Sequence, residues 1–393
     1  MIDRQQWKNF VQGRLEILAS KAGFSEKLPE VMIQVPPKPE MGDLAFPMFL
    51  FAKAMKKSPN TISQELSDDI NSLDNKPSGT AFAAGPYMNV RLDMNDMIGG
   101  LFKKIEAEGD DYGKTQSLSG KKVMVEFSCP NTNKPLHLGH VRNDCLGNSV
   151  SELLKANGAE VMKVNLINNR GVHICKSMLA YKKFGHGETP QSSGIKGDHL
   201  VGNYYVKFAQ WEKEDGTADA QAQELLQKWE AGDPETLALW KLMNGWTIDG
   251  VNETYARTGI SFDRYYYESD TYKLGKDKVL DGLSRGIFEK ADDGAVFIDL
   301  SDIGLDRKIL LRKDGTSIYI TQDIGTAISR HEDWPFDSLV YVVASEQKYH
   351  FTVLFHILDK LGFTWAKDLH HLSYGMVFLP DGRMKSREGT VVD

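Results

Sequence analysis

Residues 121–157 limit the folds open to this chain more than any other stretch. They begin with KKVMVEFS (residues 121–128), an apolar, β-branched run that reads as a buried strand. A loop rich in Pro and Asn follows, Cys129-Pro130-Asn131-Thr132-Asn133-Lys134-Pro135. A helical pattern then starts near His137 and stops at Asn157-Gly158, a good C-terminal cap pair. This order sets a helix N-terminus at the end of a sheet strand. Free N–H groups and the positive end of the helix dipole suit an anion there. His137 and His140 lie one turn apart on one helix face. Both imidazoles can donate hydrogen bonds to a phosphate whose charge grows in a transition state.

The alternation continues. Residues 160–168 read as a strand and residues 172–184 as a helix, which implies a parallel sheet with crossover helices. Residues 185–202 are polar and Gly-rich. Residues 203–259 are mainly helical, with Trp211, Trp229, Trp240 and Trp246 spaced along them as packing residues. This segment reads as an insertion between two halves of a sheet domain. The sheet pattern then resumes. Residues 295–299 and 308–312 read as strands, with a turn at Asp314-Gly315. Residues 319–331 read as a helix, 338–344 (SLVYVVA) as a buried strand, and 347–361 as a helix ending at Gly362.

Ahead of this region, residues 7–19 have helical periodicity, and Val35-Pro36-Pro37-Lys38-Pro39 breaks it. Residues 42–55 read as a buried helix. Residues 61–70 read as another, with Ser58 or Asn60 as N-cap. Residues 80–92 read as a strand interrupted at Gly85-Pro86, and the polar run 106–119 as a linker.

At 393 residues the chain is too long for one ordinary domain. Its net charge of −7 argues against a surface that grips nucleic acid all round, while leaving room for a local basic face. Cys129, Cys145 and Cys175 show no C-x-x-C or metal-ligand spacing and read as reduced thiols. No apolar run is long enough to cross a bilayer and MIDRQQWKNF is no signal peptide, so the expected setting is the cytoplasm, away from membranes.

These residues together resemble the class I aminoacyl-tRNA synthetases, specifically the arginyl-tRNA synthetases. His137-Leu138-Gly139-His140 resembles the family's HIGH element, and Glu126-Phe127-Ser128-Cys129-Pro130-Asn131 its preceding strand end. Tyr319-x-x-x-Asp323 and Gln347-x-x-His350-Phe351 resemble its substrate motifs. Tyr374-Gly375-Met376-Val377 and Arg383-Met384-Lys385-Ser386-Arg387 resemble its adenine-contacting strand and KMSKS-type loop. Gly42-Asp43 and Ala84-Gly85-Pro86-Tyr87-Met88-Asn89 resemble its tRNA-contacting amino-terminal module. HIGH alone is shared with nucleotidylyltransferases; the ordered set is far more specific.

The resemblance implies an α/β fold. A Rossmann-like parallel-sheet catalytic domain with a largely helical insertion would follow a small α+β amino-terminal domain. The expected divisions are 1–115 for the tRNA-contacting module, 116–185 and 276–393 for the two catalytic halves, and 186–275 for the insertion. It implies an arginine–tRNA ligase, with L-arginine, ATP and tRNA(Arg) as partners. Mg²⁺ would arrive bound to substrate, with no metal site in the protein, and the enzyme would be a monomer. His137, His140, Lys134, Lys385 and Arg387 would act on phosphate charge. Pro130, His137, Gly139, His140, His350, Met376, Val377, Lys385 and Ser386 would hold ATP. Glu126, Ser128, Asn131, Tyr319, Asp323 and Gln347 would hold arginine, and Tyr87 and Asn89 would meet tRNA. Asp323 is the first candidate for the guanidinium, because a carboxylate accepts two parallel hydrogen bonds from that planar fork.

Two departures stand out. Full-length members continue into a helical anticodon-binding domain, whereas this chain stops at Asp393, so a truncated chain with weak activity alone is expected. Ser386 also stands where the family's second loop lysine usually lies, and Lys134 is the implied substitute. Taken singly, Tyr319 and Asp323 suit a helix cap region, Lys385 and Arg387 a solvated loop, and Tyr87 a buried strand position. Two other classes stay open on sequence: a nucleotidyltransferase for a smaller substrate and a non-catalytic tRNA-binding relative.

Overall fold

The computed structural model describes residues 4–379, 382–383 and 392. Contacts divide the chain into two compact units, Met1–Gly113 and Lys114–Asp393.

In the first unit the helix Arg4–Lys21 buries Trp7, Val11, Leu15 and Ala19, one residue every four, as a single face against the core. That core includes an antiparallel sheet of β1 (Leu44–Pro47), β2 (Thr80–Ala84) and β3 (Tyr87–Arg91), in the order β1-β3-β2. Gly85-Pro86 forms the β2–β3 turn, where the sequence pattern breaks. Residues 42–55 depart from the helix read for them. Their first part is β1, with all four residues buried, and only Ala52–Met55 is α-helical. A short apolar run does not tell strand from buried helix, and Pro47 disfavours a helix interior. The helix Pro59–Asn71 starts at Ser58, whose Oγ accepts the Thr61 N–H at 3.1 Å. A further helix, Met94–Glu108, begins before the expected linker and buries none of its residues.

The second unit is built on β4 (Lys122–Glu126), β5 (Glu160–Ile167) and β6 (Arg264–Tyr267), then β7 (Glu289–Lys290), β8 (Val296–Ile298) and β9 (Lys308–Leu311), and lastly β10 (Ser338–Ala344) and β11 (Leu369–Tyr374). The three short middle strands make a small antiparallel sheet. The other five form one parallel sheet in the order β11-β10-β4-β5-β6. The chain runs outward from β4 to β6, then returns to the other side of β4 as β10 and β11. The winding direction reverses between β4 and β10, and such reversals open a crevice at the carboxyl ends of the strands.

Both faces of this sheet are covered, as parallel sheets require. Val123, Val125 and Phe127 pack into one core with Tyr255 and Val342. Met124 points the other way, into a core with Val164, Leu339, Ile324 and Leu354. Glu126 has the parity of Met124, so it faces the helix Tyr319–Asp333.

The helices Gly197–Glu214, Ala218–Glu230 and Pro234–Thr258 pack with Val172–Phe184 as the insertion. Its tryptophans pack on neighbours: Trp229 on Trp240 at 5.4 Å and Trp246 on Tyr181 at 5.5 Å between centroids. The insertion also braces the loop before His137. Thr247 Oγ1 donates to the Thr132 carbonyl at 3.1 Å, and a Cβ on Gly202 would stand 2.7 Å from Pro135. β6 falls inside the range 186–275 read as insertion, so the chain rejoins the sheet earlier than that reading placed it.

The helix Leu138–Ala156 lies tight on β4 because Gly147 has no side chain. A Cβ there would meet the Phe127 ring at 2.2 Å. Gly147→Ala is expected to lower stability by about 1–3 kcal/mol through overpacking, measured as a shift in denaturant midpoint at constant m-value. A neutral substitution would contradict this close packing.

Candidate active site

The carboxyl ends of β4, β10 and β11 converge on a cleft of about 780 Å³. From the β4 side come Ser128, Asn131, Asn133, Lys134, His137, Gly139, His140 and Asn143. From β10 and β11 come Val343, Ala344, Glu346, Gln347, Tyr374, Met376 and Val377. His173 and Tyr205 close the insertion side.

The turn out of β4 is strained. Ser128 (φ 73°) and Cys129 (φ 49°) both occupy the left-handed region, at a cost of roughly 1–2 kcal/mol each for residues with a Cβ. Asparagines hold them there. The Ser128 N–H donates to Asn143 Oδ1 at 2.6 Å and the Cys129 N–H to Asn165 Oδ1 at 3.1 Å. Asn143 also donates to the Val342 carbonyl and the Tyr374 hydroxyl, both at 2.7 Å, so one amide ties β4, β10 and β11 at the cleft floor.

His137 and His140 cap their own helix. The Gly139 N–H donates to His137 Nδ1 at 3.0 Å, and the His137 N–H donates to His140 Nδ1 at 3.1 Å. The Leu138 N–H donates to the Val392 carbonyl at 3.0 Å. The free N–H groups expected at this helix start are therefore engaged by protein partners. With each Nδ1 an acceptor, each ring carries its proton on Nε2 when neutral. Burial, reinforced by Lys134, lowers the His137 pKa to about 4. Burial, His137 and Lys134 hold His140 well below its usual range. At neutral pH the pair offers two uncharged Nε2–H donors.

A second, smaller cavity of about 60 Å³ lies beside β4 and is lined by Glu126, Leu166, Asp323, Thr326, Arg330, Tyr341, Phe351 and Leu354. Glu126 and Ser128, two residues apart on one strand end, thus border the two cavities. Arg330 forms a buried ion pair with Glu126. Glu268 also belongs to this region. Burial pushes its carboxyl up to about 7, against the pull of Arg170, and the charge of Asp323 adds to the rise.

Most of the residues singled out in the sequence come together here. His137, His140, Lys134, Gly139, Ser128, Asn131, Gln347, Met376 and Val377 line the main cleft, and Glu126 and Asp323 the smaller cavity. Others are placed differently. His350, expected at ATP, instead sets its Nε2 2.7 Å from Asp323 Oδ2. Its helix turns that face toward Tyr319–Asp333. Pro130 is buried and borders a separate gap against the helix Pro234–Thr258, without lining the main cleft. Tyr319 is 72% exposed and lines neither cavity. Asn89 is buried and donates its amide to the Met41 carbonyl at 2.8 Å, while Tyr87 packs edge-on against the exposed Phe49. Lys385, Ser386 and Arg387 lie outside the described residues.

The sequence reading missed Arg330, Glu268, His173 and Tyr205. Arg330 had one available signal: it follows Asp323 by seven residues and so shares its helix face. The others carry no local motif.

Known proteins share this sequence and this fold. Residues 103–393 match the family described as tRNA synthetases class I (R), catalytic domain, and residues 5–92 match the arginyl tRNA synthetase N terminal domain. The arginine–tRNA ligase of Treponema denticola is 56% identical over 391 residues, covering 98% of this chain and 66% of the relative. That of Treponema pallidum is 51% identical, covering 99% and 66%. The chain thus spans about 66% of the length of these curated relatives. Among solved structures, Thermus thermophilus arginyl-tRNA synthetase superposes with a TM-score of 0.67 at 23% identity, over 98% of this chain and 68% of that one, a likeness of fold.

The low His137 pKa has a signed consequence. The unfolded chain takes up this proton first as pH falls. The stabilising contribution is complete above about 6.5 and is lost as pH falls toward 4. Asp144, pushed up to about 7 by burial, works in the opposite sense across the same range, as does Glu268. Comparing wild type with His137→Gln isolates the histidine. Relative to the variant, the wild type is expected to lose about 1–2 kcal/mol between pH 7.5 and 5, allowing for screening at a partly exposed ring. A difference independent of pH in chemical denaturation would contradict the neutral assignment.

Proposed function

We propose, starting from a chain that belongs to the class I arginyl-tRNA synthetases, that its cleft joins arginine to ATP and passes the product to tRNA(Arg). The observation that carries this reading is the pairing of two sites at one sheet crevice. Uncharged imidazole donors and Lys134 lie in the larger cleft, and carboxylates collect at the smaller cavity.

In the first step a carboxylate oxygen of arginine attacks the α-phosphorus while the bond to pyrophosphate breaks. No protein nucleophile takes part, and catalysis is positioning plus stabilisation of phosphate charge. The Nε2–H groups of His137 and His140 donate to phosphate oxygens, and Lys134 supplies positive charge. Mg²⁺ enters with the triphosphate as part of the substrate. In the second step a ribose hydroxyl at the tRNA terminus attacks the activated carbonyl carbon, and AMP leaves.

Arginine is chosen by charge. The charge of Asp323 adds to the raised proton affinity of Glu268, and a guanidinium between them relieves that repulsion. His350 holds one Asp323 oxygen and orients the carboxylate. Glu126 takes the α-ammonium end, with Ser128, Asn131 and Gln347 along the path to the nucleotide. Tyr319 reaches the slot from its exposed position only by moving inward. Lysine fills part of such a fork and leaves a buried acceptor unpaired. On the amino-terminal unit, Tyr87 with Phe49 offers a stacking face for an unpaired base, while Asn89 supports the backbone beneath it. The enzyme works as a cytoplasmic monomer on this reading; among the described residues no helix is long and apolar enough to cross a membrane.

Asp323→Asn is expected to weaken arginine binding by about 2–4 kcal/mol, since it removes one partner of a charge pair. ATP affinity should be nearly unchanged. Calorimetric titration of each ligand separates the two effects, and equal loss of both would reject Asp323 as the guanidinium partner.

A further inference from the structure

We infer that Arg330 is a positioning residue for arginine recognition: its buried ion pair fixes the Glu126 carboxylate at the wall of the small cavity. The inference rests on the reading of that cavity as the arginine slot, and goes beyond it by naming the group on which Glu126 depends.

Arg330 is among the largest fully buried side chains, with 1% exposure, and its ion-pair partner Glu126 has 6%. Its guanidinium carbon lies 4.9 Å from the centroid of the Tyr266 ring. The buried Arg330 Nε has no hydrogen-bond partner among the described residues. A pair this deep is expensive in stability. Replacing buried ion pairs with apolar groups of similar volume is often neutral or stabilising. Fold stability therefore gives little reason for a guanidinium here, and the cavity wall gives a better one.

The charge arrangement supplies that reason. Glu126 and Asp323 line one small cavity, and Glu268 is close enough for Asp323 to raise its proton affinity. With no cation beside it, Glu126 would be a further carboxylate in a poorly solvated space. Released from the Arg330 guanidinium, its carboxylate would no longer be held where an ammonium meets it. Arg330 stays charged in any protein environment. It neutralises Glu126 from behind, so the net negative charge of the slot concentrates toward Asp323 and Glu268. The helix sets the spacing. Asp323 and Arg330 are seven residues apart on one face, about 10.5 Å along the axis, with Thr326 between them on the same wall. The side chain that selects the guanidinium and the one that braces Glu126 thus share one rigid element.

A double-substitution cycle tests this on the 393-residue chain, with arginine and ATP titrated separately by calorimetry. Arg330→Met is expected to weaken arginine binding by about 30-fold or more and to change ATP binding by less than about twofold, with Arg330→Lys recovering part of the loss. If Arg330 acts through Glu126, then in a Glu126→Gln background Arg330→Met costs little further arginine affinity. The neutral double variant is expected to melt no lower than wild type, which keeps the test readable if the single Met variant folds poorly. Arginine binding unchanged in Arg330→Met, additive losses across the cycle, or parallel losses of arginine and ATP would each overturn the inference. Failure of the wild-type chain to bind arginine at all would instead remove the reading beneath it, and the inference with it.

Discussion

The pairing of β4 with β10 is the constraint from which the site follows. These strands are neighbours in the sheet yet more than 200 residues apart in sequence, with Val123 opposite Ser338 and Glu126 opposite Tyr341. The chain winds away from this junction in both directions. Two carboxyl-terminal turns lie open side by side. The left-handed turn at Ser128-Cys129 lets β4 leave the sheet abruptly enough for the next helix to begin at the crevice. Asn143 returns from that helix to hold the turn, β10 and β11 together. Backbone strain, amide bonds and sheet order act in one place, as sites that store strain tend to do.

The electrostatics divide in two. In the larger cleft, burial and Lys134 keep the imidazoles uncharged, and the caps direct their protons through Nε2. Such donors suit a phosphate that is already accompanied by cations. At the smaller cavity the logic reverses. Glu126 and Asp323 line it, and the charge of Asp323 adds to the rise that burial gives Glu268. A single strand end serves both environments, with Glu126 turned to one and Ser128 to the other.

Much of this was legible in the sequence because it rests on local order. Strand, loop and His-x-x-His helix follow each other within forty residues, and the β10 run SLVYVVA spans the observed strand Ser338–Ala344. The motifs placed Asp323, Gln347 and Met376 at the crevice through their order along the chain. What the sequence concealed depends on side chains that meet only in three dimensions. The Gln347–His350 spacing puts both on an early helical turn, but does not say that His350 turns to Asp323 while Gln347 faces the cleft. Buried charge misled in the same way. An arginine two helical turns after Asp323 resembles an ordinary exposed position until Glu126 comes up against it. In residues 42–55 an unbroken apolar run hid a strand, because period-2 and period-3.6 patterns look alike when every position is buried.

The central claim is that an acidic slot and a phosphate-stabilising cleft act on one amino acid at one crevice. Amino-acid-dependent exchange of labelled pyrophosphate into ATP, in the presence of tRNA, tests it most directly. Exchange that depends on arginine and is not supported by lysine or glutamine is the expected result. Exchange independent of any amino acid, or supported equally by lysine, would contradict the account.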